Sequence, residues 1–100
     1  LPLVINGQNF LGVKTIYFED NASNLSFKVS DINPAVPPSG ITFAADGSQI
    51  IISGKVICDR NSSWADVNAT NSRRIVLESV ADQNATSQVI TTNPAWNDNN

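Results

Sequence analysis

The stretch that most limits what this chain can fold into is Pro37 to Gly54, PPSGITFAADGSQIIISG. Two apolar runs, Ile41-Thr42-Phe43 and Ile50-Ile51-Ile52, are separated by Asp46-Gly47 and closed by Ser53-Gly54. Ile41 and Phe43 stand two apart, which puts them on one face with Thr42 opposite, the period of a half-buried strand. Asp46 can hydrogen-bond its own backbone in a turn, and Gly47 takes the positive φ that a β-branched residue refuses. Pro37 and Pro38 stop a helix from running into the first arm. The stretch reads as a β-hairpin. Its second arm is expected to continue past Gly54 through Val56 and Ile57, with Gly54 marking a bulge or a change of direction.

Shorter β-rich runs surround the hairpin. Leu3-Val4-Ile5 ends at Asn6-Gly7 and suits an edge strand because Pro2 precedes it. Phe10 is the expected anchor of the following loop. Thr15 to Phe18 forms a second strand. In a third, Leu25, Phe27 and Val29 are expected on the core, with Ser26, Lys28 and Ser30 in water. Pro34, Pro37 and Pro38 exclude a ladder of donors from Asp31 to Ser39. Asp59 to Arg74 is the longest polar stretch, with room for one helical turn over Trp64 to Val67, capped by Ser62 or Ser63. Ile75 to Leu77 restores strand character, Ala81 to Asn84 is a turn, and Ser87 to Thr92 is the last strand. About seven short strands without a sustained helical period indicate an all-β fold, an immunoglobulin-like antiparallel β-sandwich over residues 1–92. Residues 93–100 read as a polar tail or linker.

Composition removes several classes of function. One hundred residues with 41% apolar content suffice for one core. The net charge is −3 and Arg73-Arg74 is the largest basic cluster, so the footprint needed for nucleic acid or an anionic membrane is missing. There is no apolar run of about 18 residues to insert into a bilayer. Having no methionine and opening at Leu1, the chain reads as a processed product or an excised piece of something larger. Cys58 is the single cysteine and is expected as a small buried hydrophobe rather than a reactive thiol. Without histidine, Ser-His and Cys-His catalysis and histidine metal sites are excluded. Glu19 and Asp20 are neighbours whose side chains leave opposite sides of a strand, so they cannot form a glycosidase pair. No catalytic residue is assigned, and the chain is expected not to be an enzyme.

Asparagine occupies 13 positions, and five of them open an Asn-x-Ser/Thr sequon: Asn21, Asn24, Asn61, Asn68 and Asn84. Chance at this composition gives about two. The excess fits a glycosylated surface made in a secretory pathway, and fits equally an Asn/Ser/Thr-rich bacterial or virion protein in which the sequons have no meaning. Trp64 and Trp96 are the large aromatics outside the strands. Each can stack on a sugar or anchor an interface; Trp64 can instead plug an open end of the sandwich.

The residues Gly7-Gln8-Asn9-Phe10, Phe18-Glu19-Asp20 leading to Leu25-Ser26-Phe27, Pro38-Ser39-Gly40-Ile41-Thr42-Phe43, Ile52-Ser53-Gly54 and Val80-Ala81-Asp82 stand in one order along the chain. In that order they resemble the dystroglycan-type cadherin-like and related immunoglobulin-like modules of cell-surface and secreted proteins. Ile5-Asn6-Gly7-Gln8-Asn9-Phe10 is also similar to the immunoglobulin-like (IPT/TIG) modules of plexins. Lys55 departs from the first family, which usually has threonine before proline there. The resemblance implies a sandwich whose turns bring Asp20, Asn24 and Asp82 to one end. Calcium, which takes roughly six to eight oxygens, is the one cofactor these residues can suggest. Against it, Asn21 and Asn24 stand where calcium-binding relatives carry aspartates, and solvated turn residues capping their own backbone account for the same pattern.

The reading is a non-enzymatic interaction, adhesion or spacer module of an extracellular, cell-surface or particle-surface protein. Its expected partners are a protein or glycan at the cell surface, neighbouring domains or identical subunits. Two alternatives are a self-assembling subunit of a surface filament or capsid and a carbohydrate-binding module that uses Trp64.

Overall fold

The computed structural model describes residues 2–20, 24–62, 64 and 73–79, together with the backbone of 86–92. The strands are β1 (Leu3–Asn6), β2 (Val13–Asp20), β3 (Asn24–Val29), β4 (Ile41–Phe43), β5 (Gln49–Ile52), β6 (Arg73–Ser79) and β7 (Thr86–Thr92). A 3-10 turn, Phe10–Gly12, leads into β2, and one helix, α1 (Gly54–Arg60), follows β5. The strands form two antiparallel sheets, ordered β1-β5-β4 and β3-β2-β6-β7.

The hairpin forms as its sequence demands. Ala44 N–H donates to Gln49 O and Gly47 N–H to Ala44 O, both at 2.9 Å. Gly47 sits at φ 76°. The Asp46 carboxylate accepts from Ser48 N–H at 3.0 Å and from its hydroxyl at 2.6 Å. These bonds hold the Asp46 carboxyl below the usual aspartate range. The register aligns Leu3 with Ile52 and Ile52 with Ile41, and aligns Ile5 with Ile50 and Ile50 with Phe43. Both rows face inward, while Val4, Ile51 and Thr42 form the outer row. β1 lies at an edge, as Pro2 suggested.

The inner faces of both sheets contribute to one core, in which Ile5, Ile50 and Ile52 meet Ile16, Phe18, Ile75 and Leu77. Phe10 is buried, as its role of loop anchor requires. Ile32, inside the proline-rich connection, is buried too, and its N–H donates to Lys14 O at 2.9 Å. Cys58 is half-buried against the core.

Two expectations are corrected. The second hairpin arm does not continue through Val56 and Ile57. Ser53 takes an extended backbone and its hydroxyl accepts from Lys55 N–H at 3.2 Å, which caps α1. Lys55 and Asp59 then pair across one turn at 3.0 Å, and Ile57 enters the core. Second, Leu25 does not face the core. Phe18 pairs with Phe27 but Glu19 pairs with Leu25, so the register shifts by one residue. A one-residue shift reverses the face of everything beyond it, and Leu25 is left 52% exposed. The expected turn over Trp64 to Val67, apart from Trp64 itself, the turn at Ala81 to Asn84 and the tail 93–100 lie outside the described residues.

Candidate functional site

Trp64, the ring that the sequence offers for sugar stacking or an interface, is inside the molecule at 1% exposure. Phe18 and Phe27 stack with centroids 4.2 Å apart and planes 8° from parallel. Trp64 meets them edge-on, 5.1 Å from Phe18 and 6.2 Å from Phe27. Its indole Nε1 donates to the Glu19 carbonyl at 2.9 Å, beside the register shift between β2 and β3. Its backbone N–H donates to Asn61 O at 3.1 Å and to Asn61 Oδ1 at 3.0 Å. Arg73, buried at the start of β6, donates from Nε to Trp64 O at 3.1 Å. The ring fills the core at this end and shows no face to a sugar; the plug is its observed position. Trp96 lies outside the described residues.

The same end carries two of the residues suggested for calcium, Asp20 and Asn24. Asp20 and Asn24 are register partners, with Arg73 on the other side of Asp20. Asp82 lies outside the described residues. Glu19, the neighbouring carboxylate, is committed to Arg74 at 2.7 Å. Among the described residues no group of three or more acidic or cysteine ligands is assembled for a metal ion. Of the sequons, Asn24 is exposed at the start of β3, Asn61 is half-buried beneath Trp64, and Asn21, Asn68 and Asn84 lie outside the described residues.

On the outer face of the larger sheet, Tyr17 donates its hydroxyl to Glu78 Oε1 at 3.1 Å. Partial burial and then the Glu78 carboxylate push the phenol above the usual tyrosine range.

The surface feature that the sequence did not announce is an apolar depression at the hairpin-turn end of the smaller sheet. It has a volume of about 350 Å³ and is lined by Leu11, Pro34, Ala35, Phe43 and the alanines 44 and 45, with Asn33 as its polar member. The lining contains no charged side chain. Three segments build it. Phe10 N–H donates to Gly47 O at 2.9 Å, which seats the 3-10 turn on the hairpin and leaves Leu11 50% exposed. Asn33 orders the proline-rich segment, accepting from Val36 N–H through its carbonyl and from Ala35 N–H through its side chain. Val36, next in chain to Ala35, is 75% exposed. The depression therefore offers apolar contact and one amide. A second open depression, beside Gly40, Thr42, Ile51 and Lys55, carries a cation and less apolar character. Comparison of the chain with protein-family models, with curated proteins and with solved structures finds no match.

Proposed function

We propose that this chain is a non-enzymatic interaction module of an immunoglobulin-like type, working at an extracellular, cell-surface or particle surface, and that it engages a protein partner through its loops. The observation that carries this reading is the uncharged depression beside the exposed Leu11 and Val36. Apolar side chains gathered at an exposed position favour association, since burying them removes hydrocarbon from water at about 25 cal/mol per Å². The sequon excess fits a secretory setting, as it fits an Asn/Ser/Thr-rich particle surface.

The test is binding of beads coated with the native chain to cell surfaces, compared with a Leu11→Asp, Val36→Asp double variant. Both positions are exposed, so the variant keeps its fold. Binding falls by about tenfold or more when two buried contacts are replaced by charges. Equal binding of parent and variant refutes the loop surface.

A second reading, the self-assembling subunit, is favoured by β1. It is an edge strand with an exposed Val4, and among the described residues no strand pairs with its outer backbone row. Sedimentation over a wide concentration range separates the two, because strand addition between copies is concentration-dependent.

A further inference from the structure

Asn24 is set apart from Asn61 by geometry. Asn61 is half-buried, and its side-chain oxygen holds the Trp64 N–H. Asn24 is exposed, and its side chain makes no hydrogen bond to a described residue.

Its place in the fold gives the exposure a use. β3 is an edge of the larger sheet, and an open edge recruits other strands unless something covers it. The far half of β3 is guarded: Lys28 is a charged edge residue, and Arg60 of α1 reaches the Lys28 carbonyl at 3.5 Å. Among the described residues nothing covers the near half. Leu25 stands 52% exposed beside Asn24, turned outward by the register shift, in a sequon Asn24-Leu25-Ser26.

We propose that Asn24 carries an N-linked glycan that closes this half of the β3 edge. The inference rests on the secretory part of the function proposed above. The donor is a lipid pyrophosphate-linked oligosaccharide. Asn24 Nδ2 bonds to the anomeric carbon, the bond from that carbon to the pyrophosphate oxygen breaks, and the proton lost by the amide leaves with the lipid pyrophosphate. A hydrated oligosaccharide at the first residue of β3 stands in the path of an incoming strand.

Native protein is treated with an amidase that converts glycosylated asparagine to aspartate in heavy-oxygen water, and fragmentation of the Thr15 to Lys28 peptide locates the label. Label at Asn24 is the expected result; an unlabelled, unmodified Asn24 overturns the proposal. With parent and variant both expressed in a secretory host, Asn24→Gln loses one glycan and self-associates about tenfold more tightly. Unchanged self-association of that variant overturns the edge-closing role. The outcome is separable from that of the loop surface: bare sequons with intact cell binding remove the glycan alone, whereas a labelled Asn24 with no loss in the Leu11, Val36 variant removes the loop surface alone.

Discussion

Replacing Trp64 by alanine tests whether this residue is core or binding surface. The ring is 1% exposed and packs on Phe18 and Phe27. Truncating a buried tryptophan to alanine costs about 3–5 kcal/mol in lost transfer free energy and cavity formation. Losing the indole bond to the Glu19 carbonyl adds about 1 kcal/mol. The total, about 4–6 kcal/mol, is a large share of the roughly 5–15 kcal/mol that holds a domain folded. For a chain of this size the Tm falls by about 15–50 °C. Trp64→Phe separates the two contributions. It keeps an aromatic ring against the pair and leaves the Glu19 carbonyl without its donor, at about 1–3 kcal/mol. Urea unfolding followed by circular dichroism reads both variants, with unchanged m as the sign that the same surface is exposed. A Trp64→Ala protein within about 1 kcal/mol of the parent refutes the buried position and returns the ring to the surface as a ligand-binding residue.

Three further outcomes are expected. Gly40 sits at φ 85° and an added Cβ there meets Val56 Cγ2, so Gly40→Ala destabilises by about 2 kcal/mol or more, read by thermal melting. Leu25→Thr stays within about 0.5 kcal/mol of the parent because the side chain faces water, whereas Phe27→Ala costs about 3 kcal/mol in the same urea assay. Tyr17 is the single tyrosine, so tyrosinate absorbance reports it alone, and its titration lies above that of the unfolded chain. The folded state holds this proton more tightly. Its contribution is complete below the unfolded tyrosine value and is lost as pH rises through the folded one, and Glu78→Gln moves the titration down.

The hairpin was legible because each of its signals is local: a turn dipeptide, a period of two, and prolines before it. The edge position of β1 and the anchoring role of Phe10 followed from equally local signs. α1 was missed because Val56-Ile57-Cys58 is a contiguous apolar run, which suits a buried strand as well as a short helix. The deciding signals were the Ser53 cap and the Lys55 to Asp59 spacing. Leu25 was misplaced because strict alternation assumes an unbroken register, and the shift opposite Glu19 is a property of two strands together. The apolar depression had no sequence signature at all. Leu11, Pro34 and Phe43 come from three separate segments, and only the seating of the 3-10 turn on Gly47 brings them side by side.

The two sheet orders also set a timetable for a chain made from its N-terminus. Every strand of the smaller sheet, β1, β5 and β4, has its partner by Ile52. The larger sheet is different: Ile16 and Phe18 must wait for Leu77 and Ile75, and Phe27 must wait for Trp64. Until then the β2-β3 ribbon lacks its β6 neighbour, and its two stacked phenylalanines lack the Trp64 edge that packs on them, while the hairpin is already whole. During synthesis the aromatic end is thus the part that needs protection, and it closes only when β6 leaves the ribosome.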